Sequence, residues 1–401
     1  MIVLFNLNNY IGGGEVYIIS LAEYLEKNNH DFLILCSNNS FISSRCEEKG
    51  FKYKVWPISE LSINYCSKSQ LNEIDKYFIE LNLTYSDVVL ACNMREIYSS
   101  LFFINKYKFQ IRVIVLHPEE YKYLASGSLY FKEIHEANRT ILRDLDSQDL
   151  IFYPNVNARN VSLGCNENYQ KIYPFPFSIS IHQSSKPQRD FQVIRLLIFS
   201  RFVSFKISTI LSLIKTVYQN KNYELKIIGY GFWKILLIPY LLLYKTNRIS
   251  LINKVQPEEL KDFVLNSDVG IAQGTSILQF ISCGVPVIIA PYSKWYSFLR
   301  FDVKSPGIFG EDKKVNWGDV YWNLETENYT FKFLIDKIIS NYDFYVKSTF
   351  EITQSLDENI IFKKLTDDLL NFKSFNLSID FKVIRPPLLK LILKKFFSIF
   401  K

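Results

Sequence analysis

Residues 200–206 read Ser200-Arg201-Phe202-Val203-Ser204-Phe205-Lys206. They follow an apolar run over 193–199 that reads as a buried strand, and they precede 207–218, whose apolar spacing predicts a helix. An Arg and a Lys are thereby fixed at a strand-to-helix turn. Two cations beside a helix N-terminus suit a diphosphate, because the unpaired amides and the positive helix end add to their charge.

Working outward, three further turns carry glycine. Gly229-Tyr230-Gly231 follows a strand-like run over 225–228, Gly274-Thr275-Ser276 follows 269–272, and Gly284-Val285-Pro286 precedes 287–290. A run over 249–252 supplies another strand. Helical spacing over 207–218, 232–244, 257–265 and 276–282 fills the gaps between strands. Pro257, followed by Glu258 and Glu259, suits a first helical turn, where proline is tolerated and acids meet the positive end. Strands alternating with helices mean a parallel sheet covered on both faces.

The same alternation occupies the first half. Strands are expected over 2–6, 32–36, 53–56, 88–92 and 111–116, with helices over 15–27 and 71–81. The first strand runs into Gly12-Gly13-Gly14-Glu15, whose glycines permit close backbone approach to a ligand at a helix N-terminus. Residues 178–192, SISIHQSSKPQRDFQ, are polar and read as a linker. Two doubly wound domains are expected, over 1–177 and 193–372, with a ligand cleft between them at the carboxyl ends of their strands. Two more helices are expected within 327–372.

A basic amphipathic tail closes the chain over 373–401. Pro386 and Pro387 open a helical pattern in which Lys390, Lys394 and Lys401 alternate with Leu389, Ile392, Leu393, Phe396, Phe397 and Phe400. This pattern fits a helix lying on an anionic membrane surface, or a last helix packed on the first domain.

Composition narrows the classes. The chain has 401 residues, 48% hydrophobic content and a net charge of +7. That length holds two cores, and that charge is too modest for a dedicated nucleic-acid binder. The six cysteines are scattered without a CxxC pair, which suits a reducing compartment. Cys36, Cys92 and Cys283 lie in or beside apolar runs and read as core thiols. No stretch reaches the roughly 20 apolar residues needed to span a bilayer. Asp144-Leu145-Asp146 spells a DxD, but it lies in a helix-like polar stretch and reads as surface charge. No zinc-type cluster, hydrolase triad or Walker loop is legible.

In this order and at this spacing the motifs resemble those of retaining, nucleotide-sugar-dependent glycosyltransferases of the GT-B fold. That large bacterial family builds polysaccharide and lipopolysaccharide. The resemblance runs over roughly 1–370. Gly12, Gly13, Gly14 and Glu15 match its Gly-Gly-Ala-Glu loop. Asn29-His30-Asp31-Phe32 is similar to its Gly-His-Glu-Val. His117, followed by Pro118 and Glu119, stands where the family places a histidine. Arg201 and Lys206 fall in register with its diphosphate-binding Arg and Lys, Gly229 and Gly231 with its Gly-x-Gly, and Asp268-Val269 with its Ala-Asp-Val.

One departure is clear. The family has two glutamates separated by seven residues, the second ahead of a Gly-x-Pro element. Aligning on Gly284 and Pro286 places Ile271 and Gln279 there. A Gln amide still hydrogen-bonds ribose hydroxyls. Ile271 holds no sugar, and Gln273, Thr275 or Ser276 is left to do so.

The resemblance implies a cytoplasmic enzyme, peripheral on the inner face of the plasma membrane through 386–401. It would move a sugar from a nucleotide-sugar donor to a hydroxyl of a growing, lipid-linked bacterial surface glycan, with retention. Arg201, Lys206 and His117 would be catalytic. Gly12, Gly13, Gly14, Gly229, Gly231, Gly274, Thr275, Ser276 and Gln279 would bind the donor. No metal or other cofactor is implied, and no nucleic acid. The loss of both glutamates keeps open a non-catalytic partner that binds glycan or scaffolds an active subunit. A nucleotide-sugar epimerase shares the layout, but no convergent acid–base set is legible for it.

Overall fold

The computed structural model describes residues 1–9, 12–58, 63, 66–116, 132–165, 172–176, 191–253, 255, 257–291, 302–311 and 329–371. Most of the expected linker and all of 373–401 lie outside these. Two compact units emerge. The first comprises Met1–Pro174 and, among the described residues, 361–371; the second is Phe175–Ile360.

The first unit carries β1 (Ile2–Asn6), α1 (Gly13–Lys27), β2 (Phe32–Cys36), α2 (Phe41–Lys49), β3 (Tyr53–Val55), α3 (Lys68–Leu81), β4 (Val88–Ala91), α4 (Met94–Tyr107), β5 (Gln110–Ile114), α5 (Lys132–Ser147), β6 (Ile151–Phe152) and α6 (Val156–Leu163). All its strand pairs are parallel, in the order β3-β2-β1-β4-β5-β6. That order reverses between β1 and β4, which is the Rossmann switch point. Strands β1 and β4 are buried at every position, as expected for a sheet covered on both faces. Cys36, Cys92 and Cys283 are all buried.

The second unit carries β7 (Ile194–Arg201), α7 (Ser204–Gln219), β8 (Tyr223–Tyr230), a 3₁₀ turn (Phe232–Leu236), α8 (Ile238–Leu243), β9 (Ile249–Ile252), α9 (Pro257–Leu265), β10 (Val269–Ala272), α10 (Ser276–Ile281), β11 (Val287–Ile289), α11 (Phe331–Ser340) and α12 (Tyr342–Ser355). Its sheet is parallel in the order β11-β10-β7-β8-β9, reversing between β7 and β10. Gly270 on β10 admits the Phe280 ring of α10, since a Cβ there would lie 2.4 Å from that ring. The expected helix over 232–244 divides in two around Leu237, with Pro239 in the first turn of α8. Proline lacks the N–H that would continue the preceding turn.

The C-terminal expectation needs one correction. Among the described residues three helices follow residue 330, not two, because α13 (Glu358–Leu370) follows α12. The second compact unit ends at Ile360, within α13. Phe362 of α13 packs edge-on against Tyr17 of α1 at 5.4 Å and beside Tyr24 at 5.7 Å. Asp368 accepts the Tyr173 hydroxyl, and the Lys364 ammonium lies 4.7 Å from the centre of the Tyr173 ring. Aromatic and charged contacts thus return the chain to its first unit. Among the described residues no helix is long and apolar enough to cross a membrane.

Candidate functional site

The second unit gathers most of the predicted donor residues at the carboxyl ends of β7, β8 and β10. Strand β7 pairs with β8 through Ser200 opposite Gly229 and Arg201 opposite Tyr230. The pairing continues past the strand as Phe202 N–H donates to Tyr230 O at 2.7 Å. A Cβ on Gly229 would lie 2.0 Å from Ser200 O, and one on Gly231 would lie 2.6 Å from Phe202 O. Gly231 also has φ +136, a left-handed conformation. Both glycines therefore press β8 against the backbone that carries Arg201. Their first service is to fix the cation turn.

Arg201 is exposed at the end of β7, and Lys206 is half-buried in the first turn of α7. The turn is tight, with Val203 N–H donating to Arg201 O and Lys206 N–H to Val203 O, each at 3.0 Å. No side chain caps α7, and its first turn holds no acid. Burial, and after it the Arg201 charge, push the Lys206 ammonium down to about 8. An anion placed here would relieve both cations and meet the positive end of a 16-residue helix.

On the other flank, Gly274 has φ +63 with open space beyond it. Ser276 Oγ donates to Gln273 O at 2.7 Å and accepts from Gln273 N–H at 3.2 Å. The Ser276 hydroxyl thus closes the β10–α10 turn, while the Thr275 side chain makes no capping bond. Gln279 is exposed on α10. Ile271 is fully buried in β10, paired with Ile198 and Ile288. Position 271 therefore belongs to the core.

In the first unit Gly12 is the N-cap of α1 and Gly13 and Gly14 form its first turn, so the helix starts two residues earlier than the expected 15–27. A Cβ on Gly12 would meet Glu15 Oε2 at 2.8 Å, and one on Gly14 would meet Leu116 Cδ1 at 3.1 Å. Glu15 is buried and accepts from Asn8 Nδ2 at 2.7 Å. A second buried acid escaped the sequence reading. Glu96 Oε1 accepts from Leu7 N–H at 2.8 Å and pairs with Arg95 at 3.1 Å. The signal for it was Asn93-Met94-Arg95-Glu96, directly after a strand. His117, Pro118, Glu119 and Glu120 lie outside the described residues, as does the tail over 386–401. The DxD reading is corrected in one respect. Asp146 is not solvated surface charge, because Arg159 donates to it at 2.7 Å and both side chains are about 10% exposed.

No protein-family model matches the chain, and no curated protein matches it by sequence. Solved structures do match. The Anabaena protein HepE in complex with UDP-glucose is 13% identical, covering 92% of this chain and 99% of its own, at a TM-score of 0.63. A glycosyltransferase from Rickettsia africae is 12% identical, covering 93% and 99%, at 0.62. The lipopolysaccharide outer core galactosyltransferase WaaB is 12% identical, covering 92% and 99%, at 0.60. At such identity the likeness speaks to architecture. With both switch points in place, the chain has the GT-B fold of two Rossmann-like domains.

Proposed function

We propose that the protein is a glycosyltransferase that uses a nucleotide-sugar donor. The observation that carries this is the cation turn. Arg201 and Lys206 stand at an uncapped helix end, with Lys206 pushed down to about 8 by burial and by its neighbour. Arg201, Lys206 and the α7 amides hold the donor diphosphate and stabilise the charge that builds on it as it departs. Gly229 and Gly231 brace that turn. Gly274, Thr275 and Ser276 line the donor sugar, and Gln279 reaches the ribose. Gly12, Gly13, Gly14 and His117 are the first unit's contribution to ligand binding.

The acceptor hydroxyl attacks the anomeric carbon from the face the diphosphate leaves, so configuration is retained. That scheme needs neither a protein nucleophile nor a metal. The acceptor is a growing surface glycan, lipid-linked, and the basic tail over 386–401 holds the enzyme to the membrane that presents it. HepE, whose structure holds UDP-glucose, supports a uridine donor as the first to try.

A second reading has one observation in its favour. Ile271 is sealed in the core, so no carboxylate reaches the donor sugar from that position. A chain that binds donor or glycan without transferring would look the same there. The test is a thermal-shift screen against UDP, GDP, CMP, dTDP and their sugar conjugates, followed by donor hydrolysis with the stabilising conjugate. A transferase is stabilised by one nucleotide and slowly cleaves its sugar conjugate, and Arg201→Ala and Lys206→Ala each abolish both effects. Stabilisation without cleavage supports the binding partner. No stabilisation by any nucleotide contradicts the donor site.

A further inference from the structure

The segment directly after β8, residues 232–243, is apolar apart from Lys234 and Tyr240. Its inward side is accounted for. Leu237 is fully buried, and Trp233, Leu236, Tyr240, Leu241 and Tyr244 pack against the core of the second unit. Its outward side is not. Phe232 is 81% exposed, Leu242 69%, Leu243 68%, Ile235 58% and Ile238 48%. Steps of three through the 3₁₀ turn and then of four through α8 keep 232, 235, 238 and 242 on one side. Single exposed apolar residues are ordinary on any protein, but a continuous stripe of them marks an interaction surface.

Charge selects the occupant. From residue 225 to residue 257 there is no Asp or Glu, while Lys226, Lys234, Lys245, Arg248 and Lys254 all fall in that stretch. Some of these cations serve the fold. Lys234 donates to Asn253 Oδ1 at 2.6 Å, and Arg248 donates to the carbonyls of Val217, Asn220 and Tyr223. Lys226, though exposed, lies over the Phe263 ring at 5.3 Å, and Lys245 is exposed just past α8. A protein partner is ordinarily met with charges of both signs around an apolar centre. A Phe, Ile and Leu stripe in a stretch of chain whose only charges are cations fits lipid, whose acyl boundary takes the apolar side chains and whose anionic headgroups take the lysines.

We infer that the stripe of Phe232, Ile235, Ile238, Leu242 and Leu243 docks the second unit on the surface of an anionic bilayer. It begins one residue past Gly231, which abuts the Arg201–Phe202 backbone. Docking therefore holds the cation turn close to the headgroups. The inference does not rest on the nucleotide-sugar reading, because vesicle binding and nucleotide binding are read separately. It is also distinct from the tail, since the stripe belongs to the folded second unit.

The test is co-sedimentation of the full chain with vesicles of phosphatidylglycerol and phosphatidylcholine in equal parts, against phosphatidylcholine alone. One variant carries Phe232→Ser, Ile235→Ser, Leu242→Ser and Leu243→Ser together. A second carries Lys390→Gln, Lys394→Gln and Lys395→Gln in the tail. The wild type sediments with the anionic vesicles, and the four-serine variant loses about tenfold or more in affinity. Adding the four serines to the tail variant lowers its binding again. Four-serine binding equal to wild type overturns the inference. So does a concentration-dependent dimer in vesicle-free solution that the serines abolish while lipid binding stays unchanged.

Hydrogen exchange on the unaltered chain is a readout that survives any misfolding of the variant. Amides over 230–245 slow when anionic vesicles are added, and unchanged exchange there overturns the proposal.

Discussion

The two sheets present the same switch point with opposite chemistry. At the end of β1, helix α1 begins with Glu15 in its first turn, and Glu96 accepts from Leu7 N–H in the loop beside it. Carboxylates of the chain itself meet the positive helix end and the free loop amide. At the end of β7, helix α7 begins with no acid and no cap, and Arg201 crowds Lys206. One switch point is neutralised by its own side chains. The other brings two cations of its own, Arg201 and Lys206, to the helix end. Topology supplies the slot, and a few side chains set its charge.

The contrast is sharpened most strongly through backbone contact. Gly229→Ala places a Cβ 2.0 Å from Ser200 O and forces β8 away from the cation turn. A loss of about 3 kcal/mol or more is expected, read as a fall in melting temperature. Near-wild-type melting would show that this strand contact does not pin the turn. Glu96→Ala tests the first switch point. It strips Leu7 N–H of its acceptor and Arg95 of its buried partner, at about 2–4 kcal/mol, and leaves nucleotide binding unchanged.

Lys206→Met separates stability from binding. Removing a cation that burial and Arg201 disfavour stabilises the ligand-free protein by about 1–2 kcal/mol after solvent screening, read as a rise in melting temperature. The same change lowers UDP affinity about tenfold or more. A destabilised variant that still binds UDP would reverse the assignment.

The pH dependence follows from the same residue. Lys206 loses its proton near 8 when folded and near 10.5 when unfolded. Between those values the unfolded chain holds more protons, so its contribution makes stability rise with pH. Below about 8 both forms are protonated and the penalty is complete. UDP needs the protonated form, so its affinity is flat below about 8 and falls above it, and Lys206→Arg removes that fall. The smallest effect is Ser276→Ala, which opens the β10–α10 turn at about 1 kcal/mol and weakens binding of the sugar conjugate more than that of UDP.

Much of the frame was legible because buried parallel strands are short, continuous apolar runs. Ile2–Asn6, Phe32–Cys36, Ile249–Ile252 and Val269–Ala272 stand as read, and so does α9, Pro257–Leu265, with its proline start. Helix α4 was not legible, because Arg95, Glu96, Ser99 and Ser100 are all buried within it and erase the apolar period. Helix α2 is nine residues long and starts from a Ser40–Ser43 capping box with no glutamate to announce it. In the candidate site the glycine spacing was readable. That Gly229 and Gly231 brace Arg201 was not, because a contact across β7 and β8 leaves no local pattern.

The most direct measurement is the proton affinity of Lys206 itself, by NMR titration of isotope-labelled lysine side chains assigned with Lys206→Arg, with and without UDP. A value near 8 is expected in the free protein, rising once UDP sets a diphosphate beside the ammonium. A free value already near 10.5, or one that UDP leaves unmoved, would contradict the assignment of this turn as the donor site.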